Sequence, residues 1–283
     1  MKILNCCKLN LMQLRIQPKY LLVFVYFVIH TWRYIHPYKE FAIASGLKVA
    51  PWLLVGLVRH QNWYMFFMMA YLLLICDAPF LSRQQQFVLL RSGKINWLAG
   101  QILYLAVLSA LVTLLTWVLS VVALLPEVDW TTQWGAAIQT ASRYPEAYSV
   151  TPQYTIIGYA LKNMTGMGAT LWALLMQFLV GLFLGELVLV CNLWSKRGLG
   201  IGISAAMLFF SLTVAQYAGS KGYVKRLVYI SPLSWMDLAK TGDTAVGQPP
   251  LWYCITMLLI LIVGFAVFAL RNIHKHSLDM YKE

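Results

Sequence analysis

The chain has 283 residues, of which 60% are hydrophobic and 11% are charged. Soluble domains usually carry about 25% charged residues, so this composition excludes an ordinary soluble domain and an intrinsically disordered chain. Lys and Arg number 22 against 10 Asp and Glu, which gives a net charge of +12. In so apolar a chain, this excess favours a membrane surface over nucleic acid as the partner.

Apolar segments of about the length that crosses a bilayer, roughly 20 helical residues, recur along the chain. They predict an all-α integral membrane protein with six transmembrane helices, over residues 20–35, 61–78, 97–125, 167–194, 199–217 and 251–270. The first of these segments is the weakest, because it reaches membrane length only if Arg33 extends to the interface. The six-helix domain covers residues 20–271, and 272–283 form a cytoplasmic tail.

Residues 1–19 precede the first predicted span. Ile3, Cys7, Leu11 and Leu14 recur at helical spacing, basic residues surround them, and Pro18 ends the pattern. This arrangement predicts a basic amphipathic helix at the cytoplasmic membrane interface, with an unstructured basic tail as the alternative.

Residues 41–58 are apolar but contain Lys48 and Pro51. A seventh span here would invert the topology of everything that follows. Proline breaks a helix centre and a lysine is costly at bilayer depth, so we expect a re-entrant or interfacial pair of short helices instead. The basic turn over residues 195–198 then lies on the cytoplasmic side, and both termini are cytoplasmic.

The predicted loop between the second and third spans has helix signals of its own. Ser82 and Gln85 form a capping box, and Gly93 stands where a glycine cap belongs. The signals predict a helix over 83–92 that presents Phe87, Leu90 and Arg91 to a protein partner, or that simply joins two spans. Ser92, Gly93 and Lys94 resemble the end of a phosphate-binding loop. However, Val88 and Ile95 replace residues that such a loop requires, so no ATP site is expected on this chain.

Glu186 is the acid inside the predicted spans, and it follows Gly181 and Gly185 in the fourth of them. Glycines four residues apart let helix backbones approach closely. A charged intramembrane residue usually faces the bundle interior, which favours a role in a pathway or gate. The alternative is a protonated or hydrogen-bonded glutamate near the cytoplasmic end of the span.

Catalytic and metal-binding motifs are missing from the sequence. The five histidines are scattered at span ends and in loops, and neither HExxH nor Gly-x-Ser-x-Gly occurs. The cysteines lack the spacing of a zinc site. We therefore expect no catalytic residue, no metal site and no enzymatic activity on this chain.

Just before the last span, the segment ISPLSWMDLAK runs from Ile230 to Lys240. It resembles the Pro-Leu-Ser/Thr-aromatic stretch, followed by an acid and a basic residue, of the outer re-entrant helices in ABC-2 type exporter permeases. Asp237 follows Trp235 by two residues, an interval slightly shorter than is usual there. The six spans, the N-terminal amphipathic helix and the helical loop resemble the same family over almost the whole chain.

The resemblance implies a permease subunit of an ATP-driven exporter in the bacterial cytoplasmic membrane. It implies a dimer of separate ATP-binding subunits that bind ATP and Mg, a second permease subunit, identical or related, and contact with membrane lipids but not nucleic acid. Pro232, Trp235 and Asp237 would shape an outer gate. The helix that couples to the ATPase would use Ser82, Arg83, Gln84, Phe87, Leu90 and Arg91. A membrane interaction or immunity-type protein and a secondary transporter, neither driven by ATP, are the alternatives.

Overall fold

The computed structural model describes residues 2–14, 17–80, 83–143, 158–195, 198–217 and 226–273. Across these residues the fold is helical and forms no β-strand; one parallel bridge pairs Val49 with Val128. In chain order the α-helices are α1 Lys2–Gln13, α2 Pro18–Ser45, α3 Leu54–Arg59, α4 Gln61–Ile75, α5 Arg83–Ser92, α6 Lys94–Leu124, α7 Gly135–Arg143, α8 Gly158–Asn163, α9 Gly166–Trp194, α10 Leu199–Tyr217 and α11 Leu251–Asn272.

Three of these helices, α6, α9 and α11, are long and apolar enough to cross a membrane. They contain 31, 29 and 22 residues, and at 1.5 Å per residue each exceeds the roughly 30 Å of a bilayer core. Helices α4 and α10 are apolar but supply shorter apolar stretches, Gln61–Ile75 and Leu199–Val214. The prediction of an all-helical chain is thereby confirmed, and three of its helices could span a membrane.

One end of the bundle is fixed by polar contacts between helix termini. Lys19, at the start of α2, forms an ion pair with Asp77, just beyond the end of α4. Near the end of α9, the Asn192 side chain donates a 2.7 Å hydrogen bond to the Ala78 carbonyl. Its oxygen accepts a 3.3 Å bond from the Gly200 N–H in α10. We call this the α5 end, because α5 lies between α4 and α6 here.

The opposite end is joined by contacts between the connecting loops. Lys39 of α2 donates to the Leu125 carbonyl after α6 (2.5 Å), and Trp52 donates to the Thr131 carbonyl (2.7 Å). Trp134 donates to the Met164 carbonyl, just before α9 (2.8 Å). Helices α2, α4, α6 and α9 therefore run alternately between the two ends.

The N-terminal helix α1 packs against the start of α6. Its buried residues are Cys6, Cys7 and Asn10, and the Asn10 amide donates a 2.9 Å hydrogen bond to the buried Gln101. The predicted apolar face is correct at Cys7, but Ile3 is exposed. A polar pair thus replaces part of the expected apolar contact, because Gln101 on α6 offers a partner for Asn10.

Residues 41–58 differ from the expected pair of short helices. Helix α2 continues through Pro37 to Ser45 and ends at Gly46, whose φ of +64° is the left-handed conformation that favours glycine. A loop follows, and α3 is the short helix within this stretch. Lys48 is exposed in the loop rather than placed at bilayer depth.

Candidate functional site

The predicted helix over 83–92 is present as α5, followed by Gly93 with φ +81°. The side chains of Phe87 and Leu90 are 69% and 82% exposed, and Arg91 is also exposed. Positions three and four residues apart share one helix face, so these residues form a single apolar and basic surface. Ser82 lies outside the described residues. Arg83 and Gln84 are in the first turn of α5.

Gly181 and Gly185 lie where α9 packs closely on its neighbours. A Cβ atom at Gly181 would clash with the Ser109 hydroxyl of α6 and stand 3.1 Å from the Tyr71 hydroxyl of α4. At Gly185 it would stand 3.0 Å from Leu105. Tyr71 donates a 3.0 Å hydrogen bond to the Gly181 carbonyl. The glycine face therefore brings α9 against both α4 and α6.

Glu186 is 1% exposed, and its Oε2 atom has no hydrogen-bond partner among the described residues. On the α9 surface it lies between Gly185, which faces α6, and Phe183, whose ring is 5.9 Å from that of Phe265 on α11.

A polar seam runs between α4, α6 and α9. Gln177 donates a 2.9 Å hydrogen bond to the Thr116 hydroxyl, and Ser109 donates to the Phe178 carbonyl at 2.8 Å. The cavity beside this seam is about 10 Å³ and is lined by Tyr71 and Thr113 among others. A cavity of that size is at the lower limit for holding one water molecule. The space beside the seam is therefore too small for a larger solute.

The segment that carries the family resemblance folds back against the bundle at the opposite end. Over the described residues of this segment, the structure forms two 3₁₀ helices, Val228–Ile230 and Pro232–Met236. Pro232 starts the second of them, where its fixed φ is favourable. Trp235 is 1% exposed and donates a 2.6 Å hydrogen bond to the Val228 carbonyl. The segment is thus part of the packed core.

The residues after this 3₁₀ helix form one wall of a cavity. Asp237 Oδ2 is 3.2 Å from the Lys240 ammonium group, and Asp237 Oδ1 accepts a 2.8 Å hydrogen bond from the Ala239 N–H. Gln248 donates to the Ala239 carbonyl at 2.6 Å and accepts from the Asp243 N–H at 3.2 Å. The Asp237 carboxylate and the Gln248 amide therefore hold this wall in place.

The cavity itself has a volume of about 530 Å³. We call it the Arg59–Lys240 cavity, after the two basic residues in its lining. Its other polar lining residues are Gln61, Tyr64, Ser211, Ser234, Asp237 and Gln248. Pro232 and Trp235 are not among its lining residues. They belong to the 3₁₀ helix that contributes Leu233 and Ser234 to the lining. Binding sites for small molecules typically measure about 300–1,000 Å³.

Across the described ranges, no group of three or more His, Cys, Asp or Glu side chains is placed to hold a metal ion. The five cysteines are free thiols.

Sequence analysis missed two features of the site. Arg59 was not singled out, although Lys240 and Asp237 belong to the quoted segment. Asn192 was also missed, although a single asparagine in an apolar segment signals a buried hydrogen-bond partner. Arg59 is remote in sequence from Lys240, and Asn192 from Ala78, so the local sequence pattern did not identify either relationship.

Comparisons of the chain with protein-family models, curated proteins and solved structures return no match.

Proposed function

We propose that the chain is the permease subunit of an ATP-driven exporter of the ABC-2 type. The observation that carries this proposal is the exposed face of α5. Phe87, Leu90 and Arg91 stand together at one end of an apolar bundle, where a protein partner can reach them. A large apolar residue in a basic rim is typical of the centre of a protein interface.

The arrangement of the helices supports a six-span permease. In this proposal α2, α4, α6, α9, α10 and α11 each cross the bilayer once, and the α5 end is cytoplasmic. The alternating direction of the first four of these helices favours it. Helix α4 has 15 residues, about 22 Å of helix, so residues beyond its ends must complete that crossing or the bilayer must thin locally.

In this proposal ATP and Mg bind to a separate ATPase dimer, which contacts α5. A second permease subunit completes the translocation path. Pro232, Trp235 and Asp237 of this chain belong to the outer gate of that path. The closed seam between α4, α6 and α9 fits a resting state in which substrate has not entered. Each of these statements extends the role proposed for α5.

Purification of the complex tests the proposal. The chain, tagged and extracted gently from its own membranes, should co-purify with a P-loop ATPase, whereas the chain alone should hydrolyse no ATP. The double variant Phe87→Asp/Arg91→Glu should lose the ATPase. The variant Arg271→Glu reverses an exposed charge near the same end, at the terminus of α11, and should keep it.

Two results would count against the proposal. Retention of the ATPase by the α5 double variant would remove the docking role. Full biological activity in cells that lack any partner ATPase would favour the interaction protein or the secondary transporter.

A further inference from the structure

The Arg59–Lys240 cavity has a lining of two different kinds. Val58, Leu212, Val228 and Leu233 supply apolar surface, while Arg59, Lys240 and Asp237 supply charge. Among the described lining residues, the charged groups are two cations and one carboxylate. The lining therefore carries more positive than negative charge beside an apolar wall.

The carboxylate of Asp237 is already engaged by the protein. Both Asp237 oxygens have protein partners, the Lys240 ammonium group at 3.2 Å and the Ala239 N–H at 2.8 Å. Asp237 is therefore a poor site for a ligand cation. Its side chain, 8% exposed, instead serves to orient Lys240, whose side chain is 18% exposed.

The two cations are suited to a ligand anion. An ammonium group has three donors and a guanidinium has five, so each can bind an acidic group while it keeps a protein partner. A guanidinium also matches the planar geometry of a carboxylate or phosphate. Arg59 is the last residue of α3 and therefore lies close to the start of α4.

We propose that the Arg59–Lys240 cavity binds an amphipathic anion, with its acidic head at Arg59 and Lys240 and its apolar chain against Leu212, Val228 and Leu233. A volume of about 530 Å³ accommodates a head group and part of a chain. The source of this chemistry is either an anionic membrane lipid or a soluble single-chain amphiphile. This binding does not depend on an ATPase, so it stands apart from the proposed function.

Photolabelling of the full-length chain tests this site. The protein is placed in nanodiscs of zwitterionic lipid and exposed to a 12-carbon carboxylate that carries a diazirine at the chain end. Labelled peptides are identified by mass spectrometry. Only labelling that excess dodecanoate suppresses is counted, since the probe also dissolves in the bilayer. We expect such labelling at or beside Leu212, Val228 or Leu233, and about tenfold less with the matching trimethylammonium probe.

Three variants and a control locate the head and the chain. Arg59→Gln should lower the saturable labelling by about tenfold, as expected when a charge-assisted hydrogen bond is removed. Leu212→Trp should fill the cavity and lower the saturable labelling by a similar factor. Lys48→Gln removes an exposed cation at the same end of the molecule, outside the cavity, and should leave labelling unchanged. Arg59→Lys keeps the charge and should retain part of the binding, which separates charge from misfolding.

The source is identified by competition. Suppression of labelling by phosphatidylglycerol in the nanodisc would assign the site to membrane lipid, and suppression by dodecanoate alone would assign it to a soluble amphiphile. The proposal is overturned if no saturable labelling occurs, or if the cationic probe labels equally well. Unchanged labelling in Arg59→Gln would also overturn it.

Discussion

Gly100 on α6 lies directly against Cys6 on α1: a Cβ atom at position 100 would stand 2.5 Å from the Cys6 Cβ atom. Real Cβ atoms do not approach so closely, so α1 can take this position only because residue 100 is glycine. Cys6 is 3% exposed as a result. The N-terminal helix is therefore a packed part of the bundle, held at the α5 end.

The first prediction concerns this contact. Gly100→Leu should displace α1 and speed the reaction of Cys6 and Cys7 with a water-soluble maleimide, because both thiols lose their cover. Peptide-resolved mass spectrometry measures the rate at each cysteine. Gly202→Leu, at a helical position with nothing within 4 Å of a Cβ atom, is the matched control. Equal rates in the two variants would show that α1 does not depend on Gly100.

The second prediction concerns the glycine face of α9. Gly181→Ala should destabilise the bundle by about 1–3 kcal/mol, the usual cost of overpacking, because Ser109 and Tyr71 must move. Gly264→Ala on α11 meets nothing within 4 Å and should be neutral or slightly stabilising. Thermal unfolding in a mild detergent measures the difference. A Gly181→Ala protein as stable as Gly264→Ala would mean that α9 packs less closely than described.

Apolar segments and a capping glycine in the sequence correctly predicted α9, α11 and the end of α5. The apolar segments 167–194 and 251–270 correspond to α9 and α11 within two residues at each end. Gly93 marked the end of α5. Helix α2 was underestimated because charged and polar residues follow Trp32. The helix continues because its far end packs on other elements, as the Lys39 contact with Leu125 shows.

Of the two candidate sites, one depends on local sequence and the other on the tertiary fold. The face of Phe87, Leu90 and Arg91 could be predicted from helical spacing alone. The Arg59–Lys240 cavity could not, because its walls come from α3, α4, α10 and the segment before α11. Pairing between such distant residues depends on the tertiary fold, which a single sequence pattern does not encode.

The third prediction concerns Asn192, which joins α9 to the Ala78 carbonyl and to the Gly200 N–H. Asn192→Ala leaves both buried backbone groups without this partner and should cost about 1–3 kcal/mol of stability. Asn272→Ala removes a half-buried asparagine whose exposed hydrogen bond goes to the Phe268 carbonyl of its own helix, and should cost little. Urea or thermal unfolding measures both. Similar losses in the two variants would contradict the role assigned to Asn192.

The fourth prediction concerns topology. In the six-span proposal, Leu90→Cys and Lys48→Cys lie on opposite sides of the membrane, and both native side chains are exposed. An impermeant maleimide added to intact cells should label Lys48→Cys, and Leu90→Cys only after the membrane is opened. Ser92 is less suitable, because it is buried and bonded to the Val88 carbonyl at 2.7 Å. Labelling of both positions from one side would rule out this layout.

The most direct test of the permease proposal is site-specific photocrosslinking at α5. A benzophenone amino acid replaces Leu90 in the full-length chain, or Lys48 as the control at the opposite end, and the crosslinked product is isolated from cells that make the protein. The account predicts a Leu90 product that contains a P-loop ATPase, with none at Lys48. A Leu90 product that contains only lipid, or a protein without a phosphate-binding loop, would contradict it.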